Sequence, residues 1–236
     1  MTWSIIAKDP ATGQFGIAVA TRFFAVGARV PYIAAGLGAI ATQAFVNPYY
    51  GIDGVKLLRE GLNVHDVLAT LLAADEGRES RQVHIMDASG AIAAHTGRDC
   101  VDWCGHVAGS GYSIAGNMLA GADVLAETAK TYLANDSLPF PRRLLAAMRA
   151  GEAAGGDKRG KQSAALLIHG EEEWPVLDIR ADDHPDPLGE LERLERVSHE
   201  LWVHFRASMP TRKNPAGNTD RSVIDASIAA ARARQS

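Results

Sequence analysis

The sequence predicts an α+β protein in which two antiparallel or mixed sheets stack face to face, with helices outside them. Three observations carry this. The predicted elements run strands, helices, strands, helix, which is not the regular alternation of a doubly wound sheet. The early strands come in pairs across short turns rich in Pro, Gly and Asp, the composition of hairpins. Small residues (Gly16, Ala18, Ala20, Ala34, Ala35, Ala39, Ala41) dominate these strands, which suits close packing between other layers.

Thr2 to Lys8 reads as the first strand, with Trp3, Ile5 and Ala7 on one face and Ser4 and Ile6 on the other. Asp9-Pro10-Ala11-Thr12-Gly13 is a turn, because Pro presets φ and Gly accepts positive φ. Gln14 to Arg22 returns as the hairpin partner, and Ala28 to Ala35 with Gly38 to Ala44 forms a second pair. Helices follow over Tyr49 to Arg59 and after Asn63, an N-cap with Asp66 at N3 and Val67, Leu68, Leu71 and Leu72 on one face. Gln82 to Asp87 and Ala91 to Thr96 form a hairpin across Ala88-Ser89-Gly90, and Tyr112 to Ala115 a short strand. Ala120 to Leu133 and Pro141 to Glu152 have helical spacing; Ser163 to His169 and Trp174 to Arg180 are the closing strands. A helix is expected to start with Asp186 as N-cap and Pro187 at N1, burying Leu188, Leu191, Leu194, Val197 and Leu201. Residues 1–206 read as one domain. Residues 207–236, polar and basic after Met209-Pro210, read as an extension with a short helix over Ser222 to Arg234.

With 236 residues, 47% hydrophobic and 22% charged, the chain can bury a sizeable core. A net charge of -4 argues against nucleic acid or an anionic membrane as partner, since either needs a dominant basic face. The least polar stretch, Val30 to Phe45, is broken by Gly36, Gly38, Thr42 and Gln43 and makes a poor membrane span. Two cysteines and a start without the basic and apolar runs of a signal peptide point to a reducing, cytoplasmic location.

Six ordered blocks then resemble the DUF1028 family: Thr2-Trp3-Ser4-Ile5-Ile6-Ala7-Lys8-Asp9-Pro10, Gly16-Ile17-Ala18-Val19-Ala20-Thr21-Arg22, Ala41-Thr42-Gln43-Ala44, Gly116-Asn117-Met118-Leu119, Gly160-Lys161-Gln162-Ser163-Ala164-Ala165 and Asp182-Asp183-His184-Pro185-Asp186-Pro187. They cover roughly residues 2 to 195. That family is functionally uncharacterised and is grouped with the N-terminal nucleophile hydrolases. The resemblance therefore implies their four-layer αββα sandwich, shared with proteasome subunits, and self-association into a homo-oligomer. It supplies no substrate.

In such hydrolases the first mature residue is the nucleophile and its free α-amine the general base. An α-amine titrates near pH 8, so it can take a hydroxyl proton at cellular pH. Here Met1 would be removed and Thr2 would attack the amide carbonyl of a small molecule or short peptide; Thr2 also simply suits a strand. Thr21 and Arg22 end the second strand, where polar support for the nucleophile or a structural role would lie. Asn117 could offer an N–H to an oxyanion or cap a helix. Thr42 and Gln43 interrupt an apolar strand, as bonded structure or as pocket lining together with Gln162 and Ser163. Lys161 could lower the amine pKa, bind a carboxylate or lie solvated. Cys100, Cys104 and His106 have zinc-like spacing without an evident fourth ligand, and Asp182 to Asp186 read as helix capping before cation binding. No metal and no cofactor is expected. The alternative is a non-catalytic ligand-binding or assembly protein on the same fold.

Overall fold

The computed structural model describes residues 2–233. Its first strand, β1 (Thr2–Lys8), lies inside a six-stranded antiparallel sheet ordered β10-β9-β2-β1-β8-β7. The partners are β2 (Phe15–Thr21), β7 (Gly105–Gly109), β8 (Tyr112–Asn117), β9 (Ser163–His169) and β10 (Leu177–Ala181). A second antiparallel sheet has the order β3-β4-β5-β6, with β3 (Pro31–Ala34), β4 (Gly38–Ala44), β5 (Arg81–Asp87) and β6 (Ile92–Thr96). Seven α-helices occur among the described residues: α1 (Pro48–Arg59), α2 (Val64–Ala73), α3 (Asp123–Ala134), α4 (Phe140–Ala153), α5 (Pro187–Ser198), α6 (Trp202–Phe205) and α7 (Arg221–Ala233).

Alternation along the strands decides what each face meets. Ile6, Ile17 and Val19 point from the larger sheet into a core shared with Ala39, Ala41 and Met86 of the smaller one. The opposite face of the larger sheet meets α4, and Gly16 is bare there because a Cβ would stand 2.6 Å from Leu144 Cδ1. Ile40, Val83, Ile85 and Ala93 turn outward from the smaller sheet onto Tyr50 and Leu58 of α1 and Val64, Val67 and Leu71 of α2. Burying each large aliphatic side chain of these cores contributes about 1.5–3 kcal/mol. Asn63 caps α2 as expected, its Oδ1 accepting from the His65 and Asp66 amides.

The chain divides into two compact units, Met1–Leu191 and Glu192–Ser236, and α5 runs through the division. In the second unit α6 packs with α7, and the Arg232 Nε donates to the Glu200 carbonyl at 2.8 Å. Three expectations need correction. The stripe on α5 holds for Leu188 and Leu191, but Val197 is exposed and Leu201 lies past the helix end at Ser198. Glu195 is buried in their stead and accepts from His199 Nε2 at 2.9 Å. The third strand is shorter than expected, because Val26–Ala28 turns as a 3-10 helix after Ala25 adopts a left-handed backbone. Strand β7 was not anticipated: it holds His106, Val107 and Ala108, all exposed, between glycines. Arg234, the expected end of the last helix, lies outside the described residues.

Candidate functional site

Thr2 opens β1 opposite Asn117 on one side, while Trp3 pairs Ala20 on the other. That register puts the Thr2 hydroxyl beside the end of β2, where Oγ1 donates to Thr21 Oγ1 at 3.2 Å. Thr2, Thr21 and Asn117 are all buried. The Thr2 carbonyl receives the Gln43 Nε2 at 3.5 Å, so both sheets touch this residue.

Behind Thr2 lies a buried polar seam between the sheets. Its donors and acceptors can be ordered from chemistry alone. Carbonyl oxygens only accept, so the Gln82 group at 3.1 Å from Gly105 O and 2.9 Å from Gly116 O is its amide nitrogen. Gln82 Oε1 then accepts from Gln43 Nε2 at 2.8 Å and Asn117 Nδ2 at 3.1 Å. Gln43 Oε1 takes the single hydroxyl proton of Ser4 at 2.7 Å. His84 Nε2, 2.9 Å from Ser4 Oγ, must therefore carry hydrogen, which leaves Nδ1 to accept from Ser113 Oγ at 2.9 Å. Burial, with a smaller push from His106, lowers the His84 pKa to about 3, so the ring is neutral at cellular pH.

Asn117 also lines a cleft of about 460 Å³, with Phe23, Ala44, Phe45, Val46, Ser80, Asp99, Cys100, Val101, Met118 and Arg159. Two of the three non-glycine residues with positive φ among the described ones, Ala44 (69°) and Met118 (54°), lie in this lining. Such backbone costs about 1 kcal/mol or more at each residue and persists where surrounding structure enforces it, commonly at functional sites. Here Met118 N is held by Val101 O at 2.8 Å. Next to the cleft, Asp157 ties the residue after β2 to its own turn. Its buried carboxylate accepts from Arg22 N at 2.7 Å, Arg159 N at 2.8 Å and the Arg159 guanidinium at 3.2 Å.

Arg22 Nη1 donates to Gln162 Oε1 at 3.1 Å, Gln162 N donates to Thr21 O at 2.9 Å, and Gln162 Nε2 donates to Asp183 Oδ1 at 3.1 Å. Ser163 Oγ holds the loop after β2, donating to Phe23 O at 2.5 Å and accepting from Val26 N at 3.1 Å. Thr42 faces away from Gln43 and donates to Asn47 O at 3.2 Å, ahead of α1. Lys161 lies in an ion cluster, 3.0 Å from Asp186 and 3.3 Å from Glu152. Burial lowers its pKa, but those carboxylates outweigh this and leave it raised. Asp186, expected as a cap, has its carboxylate on Arg149 and Lys161, and Arg149 above all holds it below the usual carboxylate range. Burial raises the Cys100 thiol to about 11, and its Sγ donates to Arg81 O at 3.3 Å. Among the described residues no three His, Cys, Asp or Glu side chains are grouped to hold a metal.

Sequence reading missed Ser4, Gln82, His84, Ser113, Asp157 and Arg159. A signal for two of them was present: Gln82 and His84 alternate with Val83 and Ile85, placing both polar groups on one face of a strand whose other face is apolar.

The same architecture occurs in a solved bacterial structure, the protein SPO2555 from Silicibacter pomeroyi. It is 34% identical, covers 93% of this chain and 99% of its own, and has a TM-score of 0.85. The ancestral beta-subunit Anbu from Yersinia bercovieri aligns over 89% of this chain and 98% of its own, at 12% identity and a TM-score of 0.39. Residues 2–191 match DUF1028, a family of unknown function, and the chain belongs to that family. No curated protein matches it.

Proposed function

We propose that the protein is an N-terminal nucleophile amidohydrolase on a four-layer αββα sandwich, cleaving an amide bond in a small molecule or short peptide through Thr2. The observation that carries this reading is the position of Thr2: first in its strand, hydrogen-bonded through its hydroxyl to Thr21, and paired with the cleft residue Asn117. After removal of Met1, the Thr2 α-amine takes the Oγ proton as Oγ bonds to the substrate carbonyl carbon. The Asn117 amide, oriented by Gln82, steadies the oxyanion. The C–N bond breaks as the ammonium returns the proton to the leaving amine. Water then attacks the Thr2 ester, giving one proton to the α-amine; the C–Oγ bond breaks as the ammonium passes that proton to Oγ, releasing a carboxylic acid and restoring the Thr2 hydroxyl and free amine. Arg22 and Gln162 support the strand end beside Thr21, and Gln43 supports the Thr2 carbonyl.

The second reading, a non-catalytic ligand-binding or assembly protein, is favoured by one observation: the ammonium of Lys161, a candidate helper for the amine, is engaged by Glu152 and Asp186. Intact mass of the natively expressed protein and a screen of amide substrates separate the two. The hydrolase reading expects quantitative loss of Met1 and turnover reduced at least about 10³-fold by Thr2→Ala, less by Thr2→Ser. Retention of Met1 with no turnover of any amide would leave the binding reading, and turnover unaffected by Thr2→Ala would reject Thr2 as the nucleophile.

A further inference from the structure

We propose that the cleft takes a carboxylate-bearing ligand with an apolar body, and that Arg159 determines this specificity. Applied to the amide-hydrolase reading, on which the substrate assignment rests, it names the substrate class: N-acylated apolar amino acids or short peptides with a free C-terminal carboxylate.

Arg159 is anchored by its own turn and by Asp157. It sits in the turn closed by the Gly160 N–H on Asp157 O at 2.9 Å. One edge of its guanidinium is fixed on Asp157, with Nε 3.4 Å from Oδ1 and Nη2 3.2 Å from Oδ2. The Asp157 side chain is 1% exposed, while that of Arg159 is 41% exposed and borders the cleft. Since Asp157 also accepts the Arg22 and Arg159 amides, moving the guanidinium would take a partner from both oxygens of a buried carboxylate. The fork is therefore held still. Of its five N–H groups, two serve Asp157, and the two on Nη1 and one on Nη2 remain for a planar, two-oxygen acceptor.

The rest of the lining fits such a ligand. Phe23, Phe45 and Val101 are 55%, 76% and 52% exposed, large apolar groups left uncovered around a concavity. The lining acid, Asp99, lies 4.0 Å from Arg98, which offsets its charge. Asp157 already balances the charge of Arg159, so recognition rests on the directional fork more than on net attraction. A carboxylate on Arg159 with its apolar group along Phe23 and Phe45 leaves the adjoining amide to approach Asn117, the ladder partner of Thr2.

The probes are N-acetyl-L-phenylalanine and its C-terminal amide, with binding to the full chain followed by calorimetry or ligand-observed NMR. The acid is expected to bind about tenfold more tightly than the amide, the size of one charge-assisted pair of hydrogen bonds. Arg159→Gln should erase the preference, and Arg159→Lys should lose most of it. Phe23→Ala should weaken both probes alike and leave their ratio intact, which separates a specific loss from general damage. Equal binding of acid and amide, no binding of the acid, or a preference surviving in Arg159→Gln overturns the proposal. Because binding is read in both the wild type and Thr2→Ala, the outcome is separate from turnover. Preference without hydrolysis sinks only the hydrolase reading, and Thr2-dependent hydrolysis without preference sinks only this one.

Discussion

The space between the two sheets is filled by opposite means in its two halves. In one, Ile6, Ile17 and Val19 meet Ala39, Ala41 and Met86, a contact that asks only for volume and shape. In the other, Ser4, Ser113 and Asn117 meet Gln43, Gln82 and His84, all as deeply buried as the apolar half. Here every donor needs its acceptor, because an unmet polar group without water costs far more than a loose methyl contact. The polar half is the one that reaches Thr2 and the cleft. A core that held the sheets together by packing alone would leave Asn117 and the Thr2 carbonyl unoriented.

The contrast can be broken most sharply at Gln82. Gln82→Leu removes the acceptor for Gln43 and Asn117 and the two amide hydrogens that serve the Gly105 and Gly116 carbonyls, and should destabilise the fold by about 4 kcal/mol in urea titration. A loss under about 1 kcal/mol would mean that the seam readily rearranges. In the apolar half, Ile17→Ala should cost about 3 kcal/mol by leaving a cavity, with no change in how stability depends on pH. The smallest effect sharpens the difference. Because the folded pKa of His84 is depressed to about 3, against about 6.5 unfolded, its contribution is complete above the unfolded value and declines as pH falls through that window. Between the two values the unfolded chain binds a proton that the folded chain refuses. The loss should reach about 2 kcal/mol by pH 5, visible as a lower urea midpoint than at pH 7. His84→Gln should flatten that limb, whereas an unchanged slope would assign it to other groups.

Much of the fold was legible in the sequence because strand alternation and turn chemistry are local. Thr2 to Lys8, Gly38 to Ala44 and the Asn63 cap declare themselves within ten residues. Strand β7 did not, since an edge strand of exposed residues between glycines has no apolar face to reveal it. The end of α5 misled because Val197 and Leu201 extend an apolar spacing that the helix itself does not complete. At the candidate site, Thr2, Thr21 and Asn117 stand in three of the ordered blocks, and the register brings them together. Asp157 and Arg159 were missed for a different reason. Their importance lies in ties to Arg22 N and to a cleft wall assembled from segments far apart in the chain, which no window of sequence contains.

The one-way order of hydrogens along Ser113, His84, Ser4, Gln43 and Gln82 has an evolutionary consequence. Reversing or deleting one member mismatches its neighbours on both sides, so a viable path between alternative sets of residues passes through few single steps. Relatives that differ at one of these five positions should therefore differ at several together, inheriting the set as a unit while Ile17 and Val19 drift independently.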